Sequence, residues 1–169
     1  MRPLPVTRTY LELRSRGELR PARTPAGPPR LERRHPIGAA EYLALYCLVG
    51  ERWHWRDRLA WPTERLDEYL ASPGVEVWVA SAHNEVVGYF ELLAADDDAV
   101  EIMYFGLAPA FIGQGLGGWL LTRAVERAFE TGASRVNLNT CTLDGPHALP
   151  NYLARGFRIV RSEEYEVEL

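Results

Sequence analysis

A chain of 169 residues, 47% hydrophobic and 25% charged, suits one soluble domain able to bury a sizeable core. Its formal net charge of −4 leaves no electrostatic footprint for nucleic acid, and no apolar run is long enough to span a bilayer. All 19 basic residues are arginine; the four histidines are scattered and the two cysteines, Cys47 and Cys141, lie far apart, so no metal site is expected.

Each cysteine sits in an apolar run, where a buried reduced thiol is the expected state. The N-terminus lacks the apolar centre of a signal peptide, so a cytoplasmic location is expected.

In chain order, residues 1–34 read as a peripheral, Arg-rich extension, with a strand over Val6 to Leu13 and a Pro/Gly-rich break from Pro21 to Pro29. A solvated edge hairpin is the expectation here. Tyr42, Leu45, Tyr46 and Val49 have helix-face spacing and predict a helix over 37–49. A second helix follows Pro62, with Thr63 as its cap, and ends near Ser72-Pro73-Gly74. Three strands come next, Val75 to Ala82, Val86 to Leu93 and Val100 to Leu107, joined by polar turns as an antiparallel meander. A long helix then runs to about Thr131 with Leu116, Leu120, Ala124 and Ala128 as its apolar stripe, and Gly132 ends it. A strand over Val136 to Thr142, a short helix over Ala148 to Ala154 and a strand from Phe157 complete the pattern. The expected class is α/β (α+β): a mixed, mostly antiparallel sheet with two early helices, a long helix after a Gly-rich turn and a short C-terminal helix.

That turn reads Gly113-Gln114-Gly115-Leu116-Gly117-Gly118. Few side chains obstruct a bulky anion there, and the helix start supplies free N–H groups and a positive dipole end. Strand, Gly-rich turn and helix N-terminus together make a pyrophosphate cradle. No Lys is present for a P-loop, and the late position, followed by Val136-Asn137-Leu138-Asn139, does not fit a dinucleotide fingerprint.

The run Leu107-Ala108-Pro109-Ala110-Phe111-Ile112-Gly113-Gln114-Gly115-Leu116-Gly117 resembles the acetyl-coenzyme A motif of the GNAT superfamily of N-acetyltransferases, with Ile112 where Arg or Gln is usual. Ala148-Leu149-Pro150-Asn151-Tyr152-Leu153-Ala154-Arg155-Gly156-Phe157 resembles the family's later motif, with Asp144-Gly145 in the region of its usual Asn. The likeness covers roughly residues 75–160 of what is expected to be a single domain over 1–169. It implies acetyl-coenzyme A as acyl donor and transfer to a primary amine, on a small molecule or a peptide.

Such a transfer needs a base, a polarised thioester carbonyl and a proton for the leaving thiolate. Glu101 is the first candidate base: its strand neighbours Ile102, Tyr104 and Phe105 argue for burial, which raises a carboxylate's pKa. Its position six residues before Leu107 is also where the resemblance implies a catalytic Glu. Glu91, one strand earlier, is the runner-up base, beside Glu101 or at the acceptor. The resemblance implies Tyr152 as general acid and a bulge near Leu107 whose amide polarises the carbonyl. Asn139 is expected beside the pantetheine arm. Trp53, His54, Trp55 and Trp61 fall where the fold places the acceptor; they serve either as an aromatic seat for an apolar or cationic amine or as packing between two helices. A non-catalytic acyl-coenzyme A sensor on the same fold is the alternative reading, and homodimerisation is left open.

Overall fold

The computed structural model describes residues 2–169. Period-two patterning turns the middle of the chain into the expected meander: β3 (Val75–Ala82), β4 (Glu85–Ala94) and β5 (Ala99–Leu107), each antiparallel to the last. His83 and Asn84 take φ of 51° and 63°, the left-handed pair that lets a two-residue turn follow the strands' twist. The remaining strands are β1 (Leu4–Leu13), β2 (Arg30–Arg33), β6 (Arg135–Cys141) and β7 (Arg158–Val167). All seven form one sheet in the order β2-β3-β4-β5-β6-β1-β7. Only the β5–β6 pairing is parallel.

Four helices cover the sheet: α1 (Ala39–Gly50), α2 (Thr63–Ala71), α3 (Leu116–Glu130) and α4 (Ala148–Ala154). On one face, Tyr42, Tyr46 and Val49 of α1 and Leu66 and Leu70 of α2 pack against Val77, Val79 and Tyr89. On the other, the α3 stripe of Leu116, Leu120, Ala124 and Ala128 packs on Phe90, Leu92 and Ile102. Among the described residues, no helix is long and apolar enough to cross a membrane.

The N-terminal segment departs from expectation. β1 is an interior strand paired with β6 on one side and β7 on the other, with Val6, Leu11 and Leu13 buried. β2 lies on the far edge, beside β3, so the two form no hairpin. Two further corrections follow from side-chain direction. Cys47 is exposed, because the stripe that buries Tyr42, Leu45, Tyr46 and Val49 turns it outward. Thr63 is the first residue of α2 and caps nothing; Asp67, one turn on, instead accepts the α1 amide of Ala39 at 2.8 Å.

Candidate active site

β5 and β6 pair only over Ala99–Glu101 and Arg135–Asn137, then part. The opening is a cleft of about 500 Å³, with Met103 to Leu107 on one wall and Asn139 and Cys141 on the other. Antiparallel ladders alternate which edge each residue's N–H and C=O serve. Ala108 donates to the Val87 carbonyl at 2.8 Å, so counting back gives the N–H and C=O groups of Leu107 and Phe105 to the cleft edge. The bulge does not lie at Leu107, which pairs regularly with Gly88. Tyr104 opposes Glu91 while Ile102 opposes Leu92, so Met103 is the extra residue.

The first turn of α3 meets this cleft through Gly117, close to Leu107 and Asn151. Gly113 and Gly115 take φ of 85° and 76°, which L side chains rarely adopt, and Gly115 occupies the N-cap position without any side-chain cap. The amides of Leu116, Gly117 and Gly118 therefore stay available to an anion. Leu116 buries its side chain in the core and offers only its backbone. Gln114 turns its amide back to the Ala110 carbonyl at 3.1 Å. A Cβ on Gly118 would stand 2.8 Å from Arg155 Nη1, so the glycine admits this guanidinium against the turn. Arg155 was not singled out in the sequence; a cation beside the first turn suits a phosphate-bearing ligand.

Tyr152, on α4, lines the cleft. Its ring packs edge-on against Phe105 and Phe157, with centroids 6.2 and 6.1 Å away. Burial raises its hydroxyl pKa, and the nearby Asp144 charge raises it further. Glu101 is partly buried and lies just outside the cleft, in a shallower depression with Tyr10, Glu12 and Asn137. Burial holds its pKa above the ordinary carboxylate value, and a 3.4 Å bond from Asn139 Nδ2 opposes this only in part. Asn139 thus links Glu101 to the cleft. Its Oδ1 accepts from Arg8 Nη1 at 2.9 Å, and Arg8 Nη2 donates to the Tyr165 hydroxyl at 3.0 Å.

Trp53, His54 and Trp55 also line the cleft. The Trp55 ring lies over Gly50, where a Cβ would collide with it, and packs 4.9 Å from the Tyr104 centroid. Two other aromatic-region candidates lie elsewhere. Trp61 packs behind the wall against Arg58, Arg65 and Tyr69. Glu91 is fully buried and faces α1 and α2, away from the cleft. It accepts from the hydroxyls of Tyr42 and Tyr69, the latter at 2.5 Å, and pairs with Arg58 at 2.7 Å. A carboxylate held by three donors and shut off from solvent can neither take a proton from the acceptor nor touch it. Glu91 is accordingly a structural anchor, holding the segment around Arg58 onto the sheet. Arg58 remains firmly protonated: burial opposes its charge, and the Glu91 carboxylate together with Tyr42 and Tyr69 outweighs that opposition.

Comparison with known proteins agrees with this geometry. The sequence profile of the acetyltransferase (GNAT) family matches residues 47–157, from the end of α1 to the start of β7, and the chain belongs to that family. An uncharacterized N-acetyltransferase of Mycobacterium tuberculosis is 32% identical over 95 residues, 56% of this chain. The chain spans 60% of the length of that relative. Among solved structures, a GCN5-related N-acetyltransferase from Kribbella flavida shares the fold at a TM-score of 0.65 and 20% identity, over 95% of this chain and 57% of its own. A Bacillus subtilis acetyltransferase in complex with CoA aligns at a TM-score of 0.58 and 26% identity, over 77% of this chain and 76% of its own.

Proposed function

We propose that the protein transfers the acetyl group of acetyl-coenzyme A to a primary amine by direct attack. The observation that carries this reading is the parting of β5 from β6, with the uncapped first turn of α3 and Tyr152 both opening onto the gap. The amides of Leu116, Gly117 and Gly118, with Arg155 alongside, suit the diphosphate. The free edge of Phe105 and Leu107 suits the amide groups of a pantetheine arm, with Asn139 across the gap. The similar Bacillus subtilis acetyltransferase in complex with CoA supports the choice of donor.

In this reading Glu101 is the base. The amine arrives as an ammonium and cannot attack until a proton leaves it, through water and past Asn139, to the Glu101 carboxylate. Burial makes that carboxylate a better acceptor near neutral pH than an exposed one. The nitrogen then bonds to the acetyl carbon as the C–S bond breaks, the Tyr152 hydroxyl gives its proton to the thiolate, and the remaining proton released by the acylated nitrogen returns through water to Tyr152. A hydroxyl kept protonated by burial and by Asp144 is suited to that donation.

Calorimetry with acetyl-coenzyme A and a thiol-release assay over a panel of amines test the proposal together. Binding in the micromolar range with amine-dependent thiol release is expected. No binding at millimolar donor overturns it. Binding without release for any amine would assign the chain to acyl-coenzyme A sensing instead.

A further inference from the structure

Asp144, in the loop after β6, lines the cleft and has no proton-transfer role in the scheme above. Its orientation is fixed: Oδ2 accepts from Thr140 Oγ1 at 2.6 Å and from the Cys141 amide at 3.1 Å. Oδ1 faces Trp55 Nε1 at 3.5 Å, a long contact that leaves its lone pairs largely free. The same carboxylate shares the cleft lining with Tyr152, whose hydroxyl its charge helps keep protonated. Trp53 flanks it, its ring lying on Gly145, where a Cβ would stand 2.9 Å away. The cleft's interior cation, Arg8, is already committed to Asn139 and Tyr165, whereas Arg56, His54 and His147 are exposed to solvent. A half-buried carboxylate with a free oxygen, between two indoles and in the same cleft as Tyr152, suits a cation with an apolar body.

We infer that Asp144 is a specificity-determining residue that receives the acceptor's ammonium group, and that the acceptor is a small primary amine with an apolar or aromatic body seated on Trp53 and Trp55. This rests on the acetyl-transfer reading and deepens it. The ammonium docks on Asp144 and loses one proton toward Glu101; its nitrogen forms the C–N bond as the C–S bond breaks, Tyr152 protonates the sulfur, and the nitrogen's second proton passes through water to restore the Tyr152 hydroxyl. The product is a neutral amide, so its attraction to Asp144 disappears and release is favoured.

The test titrates 2-phenylethylamine and its uncharged counterpart 2-phenylethanol into the whole protein, followed by tryptophan fluorescence. At pH 7.5 the amine is expected to bind at least about 10-fold tighter than the alcohol, the discrimination a charge-assisted hydrogen bond supplies. Asp144→Asn should erase that preference, since asparagine can accept the same two turn bonds on its one carbonyl oxygen while losing the charge. A second arm uses the wild type alone: near pH 10.5, where about half or more of the amine is neutral, the preference should shrink. Equal affinity for amine and alcohol at pH 7.5, or a preference that survives Asp144→Asn, overturns the inference. Amine binding at Asp144 with no thiol release from any amine of the panel sinks the acetyl-transfer reading and leaves the Asp144 site standing; thiol release with a preference indifferent to Asp144 does the reverse.

Discussion

Tyrosines and carboxylates meet in two places on this fold, and the two differ in how much hydrogen-bonding capacity is left over. Behind the wall, Glu91 takes the Tyr42 and Tyr69 hydroxyls and the Arg58 guanidinium, with Arg58 lying 4.1 Å over Trp61. Its carboxylate has no solvent to exchange with and no partner to gain. In and beside the cleft, Glu101 holds one long bond, Asp144 keeps one oxygen nearly free, and the Tyr152 hydroxyl has no hydrogen-bond partner among the described residues. The same residue types serve as fasteners where the carboxylate's acceptors are all taken and, in the acetyl-transfer reading proposed above, as reagents where capacity remains. The fastener also supports the cleft. Arg58 anchors the segment after Trp53-His54-Trp55, so one wall of the cleft depends on a buried ion pair.

The comparison breaks most visibly at Glu91. Glu91→Ala leaves Arg58 as an uncompensated buried charge, and a loss of about 3–5 kcal/mol of stability is expected from denaturant unfolding. The matching change at the open carboxylate should act on rate instead. Glu101→Gln should lower turnover by about 100-fold or more while the acetyl-coenzyme A affinity from calorimetry stays put. Its stability effect should also have the opposite sign. Folding raises the Glu101 pKa through burial, so this group's stabilising contribution is present below the unfolded pKa and lost as pH rises through the folded one. At pH 7.5 the glutamine variant should therefore melt no lower than the wild type, and a clearly lower melting midpoint would make Glu101 a fastener like Glu91. In the wild type, kcat/KM should fall as pH drops through the raised Glu101 value, and Glu101→Gln should flatten that limb. Tyr152→Phe should lower turnover by about 10-fold or more, with its packing against Phe105 and Phe157 intact.

These two sites were unequally legible in the sequence, for a physical reason. The Gly-rich turn, the meander and the α3 stripe are local signals, set by φ preferences and side-chain period, and they emerge within a residue or two of where the pattern puts them. Partner choice is long-range. The alternation in β1 marks Val6, Leu11 and Leu13 as buried but says nothing of β6 or β7, whose partner residues lie well over a hundred positions away. Glu91 was undecidable for a related reason: β4 is covered on both faces, so Tyr89, Phe90, Glu91 and Leu92 are all buried and alternation loses its contrast. The bulge at Met103 adds a register shift that no residue in the run announces. Asp144 did carry a signal, standing in the region of the family's usual Asn, but only the loop geometry reveals that one of its oxygens is left over.

The smallest effect is expected at Ile112, and it tests whether side-chain or backbone groups hold the donor's phosphates. Ile112 is half-buried, lines the cleft and stands where Arg or Gln is usual in the family. If backbone amides carry the binding, Ile112→Gln adds one partly solvated hydrogen bond to donors that are already complete. Such a bond contributes about 0.5–1.5 kcal/mol, or roughly 2- to 10-fold in the dissociation constant for acetyl-coenzyme A. Removing the backbone geometry should do more in the other direction. Gly115→Ala forces a Cβ onto a residue at φ 76°, which tilts the whole first turn of α3. Calorimetry on the two variants should therefore show a modest gain for Ile112→Gln and a larger loss for Gly115→Ala. A gain of about 100-fold at Ile112 would mean that the backbone turn alone is an incomplete phosphate site, with the Arg155 guanidinium failing to make up for the missing side chain.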